Sequence, residues 1–244
     1  MERYEELISR RRQEICERMA DALARAGRGA DDALLIAVSK TVGTDEVVAA
    51  IRAGYRTFGE NRPQELVRKL ADLAERDGLP PVRFDMIGNL QTNKINAVLG
   101  RAQLIHSIRS QHLAEAVSSR AARRIEAGEL EAPVDVLLEV NVSGEESKSG
   151  FAPDELRACM GQLVELMGIR IRGLMTMAPR GDKDAARRTF SGLRDLRDEL
   201  QVSHGIVLPE LSCGMSEDFE IALEEGSTIV RLGRVVFDPS FALQ

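Results

Sequence analysis

Between residues 34 and 233, short runs of apolar residues alternate with longer stretches in which apolar positions recur every three to four residues. The short runs are "LLIAVSK" (34–40), "RTFGE" (56–60), "RFDMIG" (83–88), "QLIHSI" (103–108), "VDVLLEVNVS" (134–143), "IRIRGLMTM" (169–177), "PELSCGM" (209–215) and "TIVRLG" (228–233). Continuous apolar runs of this length read as strands buried on both faces. The stretches between them, such as "TDEVVAAIRAG", "PQELVRKLADLAERDG", "NKINAVLG", "APDELRACMGQLVELMG" and "DFEIALEEG", read as helices, several opened by Thr, Asp or Pro and closed by Gly. Alternating strands and helices imply a parallel sheet. Eight such repeats predict a single (β/α)8 barrel, preceded by an extra N-terminal helix, and an open doubly wound sheet is the alternative. No Pro/Gly/Ser-rich linker divides the chain, so residues 1–244 are read as one domain.

Charge narrows the range of partners. The formal net charge of -6 gives no general attraction to nucleic acid or anionic membrane. The basic cluster in "SSRAARRIEAGELE" is answered by Glu126, Glu129 and Glu131, which predicts a solvated helix face. The N-terminal segment is charged throughout and has no apolar core of a secretory signal, and no apolar run approaches the roughly 20 residues that span a bilayer. A cytoplasmic monomer is expected. Cys16, Cys159 and Cys213 suit neither a disulfide framework nor a zinc site, and His106, His112 and His204 form no ligand pattern.

Active sites of such barrels form where the strands end, so the terminal residues carry the chemistry. The first strand ends on Lys40, a residue type seldom buried unless paired or reactive. The loops after strands 7 and 8, where phosphate sites of barrels are often built, offer Ser216 and Gly233. Ser216 stands where a helix begins, so it is either an N-cap or a phosphate ligand, and Gly233 is either a turn residue or a point of close backbone approach. Arg231, inside an apolar strand, requires a partner, which is either a carboxylate or a ligand atom. Lysine forms Schiff bases with carbonyls. Together with a phosphate site and an inward arginine it suggests an aldehyde-bearing phosphate, and pyridoxal 5'-phosphate (PLP) meets all three requirements.

The segments "IAVSKT", "FGENRPQEL", "MIGNLQTNKI", "IHSI", "EVNVSGEESKSGF", "GLMTMAP" and "LSCGMSEDFEIALEEGSTIVRLG" resemble, in order and over nearly the whole chain, the motifs of the pyridoxal phosphate homeostasis protein family. The resemblance implies a fold-type III PLP barrel, similar to the barrel domain of alanine racemase and related decarboxylases but without their second, β-rich domain. It implies that Lys40 forms the internal aldimine, that Asn61 lies near the cofactor ring, that Ser216 and Gly233 contact the phosphate, and that Arg231 faces the pyridine nitrogen. Arg234 replaces the usual Thr or Ser, so a phosphate contact there falls to its backbone N–H or its guanidinium. Asp85 and Asn89 stand where relatives often carry histidines, Cys213 where they often carry methionine, and the tail "FDPSFALQ" lacks the usual glycine after phenylalanine. The implied role is a PLP carrier or regulator of amino- and keto-acid balance, with PLP-dependent apoenzymes as candidate partners. The alternatives are a PLP-dependent racemase or decarboxylase, and an aldolase that uses Lys40 without a cofactor. A racemase needs an acid–base group on each face of the cofactor, and neither Tyr4 nor Tyr55 is expected in such a position.

Overall fold

The computed structural model describes residues 2–145 and 147–241. The eight apolar runs form β1 (Leu34–Val38), β2 (Thr57–Glu60), β3 (Arg83–Met86), β4 (Ile105–Ile108), β5 (Val134–Glu139), β6 (Ile169–Met175), β7 (Glu210–Ser212) and β8 (Ile229–Leu232). All are parallel and each pairs with the next, and β8 returns to β1 in a register from Leu34↔Ile229 to Ala37↔Leu232, which closes the barrel. The helices are α1 (Glu2–Arg25), α2 (Thr44–Arg52), α3 (Pro63–Ala74), α4 (Ile95–Val98, entered through a 3-10 turn at Thr92–Lys94), α5 (Gln111–Glu126), α6 (Pro153–Val164), α7 (Lys183–His204), α8 (Phe219–Glu224) and α9 (Arg234–Phe237).

Local chemistry sets several helix ends. Pro63 and Pro153 occupy first turns, where a missing N–H costs nothing. Ser110 and Asp182 cap α5 and α7 by accepting the N–H groups of Leu113 and Ala185 at 3.3 and 2.8 Å. Gly205, at φ 62°, ends α7 in the left-handed region that other residues avoid. On the exposed face of α5, Arg124 pairs with Glu129 at 2.9 Å, as the sequence suggested.

Strand alternation sorts the side chains into two sets. Ala37, Phe58, Phe84, Val136 and Leu138 face outward into the layer between strands and helices, where the rings of Phe58 and Phe84 stack with centroids 5.3 Å apart. Ile36, Val38, Leu104, Leu137, Met175 and Ile229 form a second cluster, distinct from that outer layer. Helix α1 buries Ile8, Ile15, Met19, Ala22 and Leu23, packing on α8, α2 and α9. Its polar side chains hold the far end of the chain. Arg18 pairs with Glu220 at 2.8 Å, the Tyr4 hydroxyl donates to the Phe237 carbonyl at 3.0 Å, and Arg11 donates to the carbonyls of Asp238 and Phe241.

Candidate functional site

The mouth of the barrel is built first by β1 and β2. Lys40 lies in the turn after β1, exposed and without a hydrogen-bond or ion-pair partner among the described residues, while Ser39 beside it is fully buried. That turn is held from below by a buried ion pair. Lys69 of α3 donates to Glu60 Oε2 at 2.6 Å and to the Ser39 carbonyl at 2.7 Å. Glu60 also takes the Ser39 hydroxyl at 3.3 Å and, through Oε1, the backbone N–H of Asn61 at 2.8 Å. One carboxylate therefore orients both the residue before Lys40 and the residue expected beside the cofactor ring. Glycine is required opposite, because a Cβ on Gly88 would lie 2.3 Å from the Asn61 carbonyl oxygen. Asn61 Oδ1 is itself buried and has no partner among the described residues. It lies at the edge of a polar cavity of about 310 Å³ whose lining includes Arg62, Lys94, Arg109 and Asn89 and no carboxylate.

On the other side of β1, the loops after β7 and β8 come together. Ser216 is not the cap of α8: that helix begins at Phe219 with Asp218 at its N-cap position, and Asp218 Oδ1 accepts the Met215 N–H at 2.6 Å. The Ser216 hydroxyl instead accepts the Val235 N–H at 3.4 Å, linking the β7 loop to the first turn of α9. Gly214, at φ 95° and with Ala222 Cβ 2.7 Å from any added Cβ, lets the loop double back. Gly233 packs against Val38 at the end of β1 and precedes α9. The Arg234 side chain turns away to an ion pair with Glu217 at 2.5 Å and a stack over Phe241 at 5.0 Å. The guanidinium is thereby engaged by Glu217 and Phe241.

Arg231 is 5 % exposed and has no carboxylate within ion-pairing distance among the described residues. Its Nη1 donates to the Ser212 carbonyl and hydroxyl at 2.8 and 2.6 Å, and its Nη2 to the Thr176 carbonyl at 3.2 Å. Burial lowers its pKa from the arginine value, which Cys213, Asp218 and Glu139 partly offset. A guanidinium carries five N–H groups, so donors remain for a ligand acceptor. Glu139, at the end of β5, is 2 % exposed with Oε2 unpartnered. Burial raises its pKa above the usual carboxylate range, against the opposing effect of Arg231 and Arg109.

Lys69 on α3 and His106 within β4 are not legible as site residues from the strand ends, and Glu60 and Glu139, which end β2 and β5, are legible there only as polar residues without a role. The available signal was a polar residue inside an apolar run, as at Asp85 in "RFDMIG" and His106 in "QLIHSI". No group of three or more His, Cys, Asp or Glu suited to a metal occurs among the described residues. None of their helices is long and apolar enough to cross a membrane.

A closed ring of eight parallel strands wrapped by helices defines a (β/α)8 barrel protein. Residues 15–240 match the profile of the alanine racemase N-terminal domain. A pyridoxal phosphate homeostasis protein of Aquifex aeolicus is 41 % identical over 91 % of this chain and 94 % of its own. A crystal structure of a Bifidobacterium adolescentis protein superposes with a TM-score of 0.87 at 40 % identity, covering 97 % of both chains. PipY of Synechococcus elongatus PCC7942, in a structure with PLP bound, gives a TM-score of 0.76 at 35 % identity over 91 % of this chain and 99 % of that one. The chain belongs to the alanine racemase N-terminal domain family and, within it, to the pyridoxal phosphate homeostasis proteins.

Proposed function

We propose that this protein binds PLP at the barrel mouth and serves PLP homeostasis as a carrier or regulator, without efficient turnover of amino acids. The observation that carries this reading is the donor set. Lys40 offers a free amine to an aldehyde, and Arg231 offers guanidinium N–H groups to a ring nitrogen. Ser216 together with the backbone of Gly233 and Arg234 offers hydrogen bonds to a phosphate, and Asn61 stands on the opposite side of Lys40. Lys40 follows β1, whose two neighbours are β2, which leads to Asn61, and β8, which carries Arg231. The PLP bound in the structure of the relative PipY supports the choice of ligand.

When bound, PLP supplies a reactive carbonyl and an electron-withdrawing ring. The protein's own residues determine how far that reactivity is used. Arginine stays protonated at ordinary pH, so Arg231 only donates and keeps the ring nitrogen from taking up a proton. Efficient turnover also needs a positioned acid–base pair. Tyr4 donates to the Phe237 carbonyl, and Tyr55 is buried in the outer layer after α2 beneath Arg12, whose guanidinium lies 5.8 Å from its ring. These placements favour retention of the cofactor over catalysis, and the finer roles, including hand-over to PLP-dependent apoenzymes and action as a cytoplasmic monomer, belong to the same proposal.

The test is to mix purified protein with PLP, reduce with borohydride and map the added mass. Modification confined to Lys40, with L-amino acids losing their α-proton in deuterated water more slowly than about 1 per second, is the expected result. A protein that takes up no PLP rejects the binding reading. Faster exchange rejects the non-catalytic one.

A further inference from the structure

Behind Arg231 lies a hydrogen-bonded chain that runs across the barrel interior. Arg231 Nη1 donates to Ser212 Oγ at 2.6 Å; Ser212 Oγ lies 2.9 Å from His106 Nδ1; His106 Nε2 lies 3.2 Å from Asp85 Oδ2. Asp85 is gripped in turn by Arg83, Nε to Oδ1 at 2.7 Å and Nη2 to Oδ2 at 2.9 Å. Four strands contribute, β3, β4, β7 and β8, and Asp85, His106, Ser212 and Arg231 are all buried.

The chemistry of the links gives the chain a direction. Arginine can only donate, so Ser212 Oγ accepts from Arg231, and the Ser212 proton goes to His106 Nδ1 when that nitrogen carries none. Burial lowers the His106 pKa, with Asp85 opposing and the two arginines reinforcing, which favours the ring with one N–H. With Nδ1 accepting, that N–H is on Nε2 and points at the Asp85 carboxylate, which the Arg83 fork fixes in place. Every donor then meets an acceptor. Reversing any one link would set Ser212 Oγ–H against a guanidinium, or an imidazole lone pair against a carboxylate. The orientation of a guanidinium at the mouth is thus tied to a carboxylate on a neighbouring side of the barrel, three links away.

We propose that Asp85, His106 and Ser212 are positioning residues for Arg231, fixing its guanidinium so that a free N–H meets the ring nitrogen of bound PLP. This rests on the reading that PLP occupies the mouth. Ser212 alone cannot supply the orientation, because a hydroxyl rotates freely unless its own proton is taken. His106 Nδ1 takes it, and Asp85 fixes which nitrogen is free to do so. A seam that served packing alone would be indifferent to the ring nitrogen.

The experiment compares PLP with its 1-deaza analogue, which keeps the aldehyde and phosphate but replaces the ring nitrogen by carbon. Affinities for both are measured by fluorescence titration for wild type, Ser212→Ala, His106→Leu and His106→Asn, with thermal melts of the apo-proteins alongside. In His106→Asn the side-chain carbonyl stands in for Nδ1 as acceptor of the Ser212 proton. Ser212→Ala and His106→Leu are expected to weaken PLP about tenfold, one charge-assisted hydrogen bond's worth, and the analogue less than about twofold. His106→Asn is expected to stay near wild type for both compounds. Should His106→Leu fail to fold, Ser212→Ala still decides, since Arg231 keeps its bond to the Ser212 backbone carbonyl. Equal losses for the two compounds, or none for PLP, would overturn the positioning role. Wild-type protein that binds neither compound would instead reject the underlying PLP reading.

Discussion

Among the described residues Lys69, at 1 % exposure, and Arg231, at 5 %, are the two most deeply buried cations, and the protein treats them in opposite ways. Lys69 is met by the Glu60 carboxylate at 2.6 Å, and the pair is closed by the Ser39 carbonyl and the Asn61 N–H. Arg231 is met by two carbonyls and a hydroxyl, all neutral, while the nearby Glu139 carboxyl makes no bond to it. A buried charge left without an opposite charge is costly. The first arrangement is complete in itself and serves as a foundation for the Lys40 turn. The second leaves guanidinium N–H groups without a partner among the described residues.

The largest effect that would sharpen this contrast lies at the closed pair. Glu60→Ala is expected to lower unfolding free energy by about 3–5 kcal/mol in urea titrations, since it strands the Lys69 ammonium. Glu60→Gln combined with Lys69→Met should recover more than half of that loss. A single variant as stable as wild type would remove the foundation role. At the open cation, Arg231→Met is expected to cost less, about 1–3 kcal/mol, because it removes a charge and leaves only neutral acceptors unfilled. PLP at saturating concentration should raise the melting temperature of wild type and do so much less for this variant. Equal ligand stabilisation in the two would break the comparison.

Glu139 gives a pH-dependent measure of the same difference. A carboxyl whose folded pKa is raised contributes stability that is fully present below its unfolded pKa, near 4.5, and lost as pH rises through the folded value. Glu139→Gln removes that loss. The variant should therefore match wild type below about pH 4 and exceed it near neutrality, and coincident stability-versus-pH curves would contradict the raised pKa. The smallest stability effect is expected at Lys40, which is exposed and unpaired: Lys40→Ala should change unfolding free energy by less than about 0.5 kcal/mol while abolishing borohydride-fixable PLP. Loss of folding in that variant would show that Lys40 holds the turn rather than a ligand.

The fold was legible because barrel strands buried on both faces must be apolar, and all eight runs announced themselves. Their ends were less so. The candidate 134–143 stops as a strand at Glu139, where Val140 leaves to bridge Phe151, and the candidate 209–215 stops at Ser212, before Gly214 turns back. The mouth residues Lys40, Asn61, Ser216, Gly233 and Arg234 could be placed at strand ends because parallel topology puts every strand end on one face. Which atoms they present could not be read, and Ser216 bonding to Val235 in place of capping α8 is an instance. Partnerships such as Glu60–Lys69 or Asp85–His106 are set by closure of the barrel, and no spacing in the sequence announces it.

Helix α1 reaches past the strands to hold the carbonyls of Phe237, Asp238 and Phe241 through Tyr4 and Arg11. Phe237 closes the short helix that begins at Arg234, and Asp238 and Phe241 follow it, so in hydrogen-exchange terms α1 and residues 234–241 are expected to open as one cooperative unit. Amides of residues 234–238 should exchange with the same opening free energy as the middle of α1, and Arg11→Ala should accelerate both together by about tenfold, one net hydrogen bond to a charged group, leaving the β4–β5 amides unchanged. On that outcome, a surface helix remote in sequence from the mouth would govern the opening of the segment that follows Gly233.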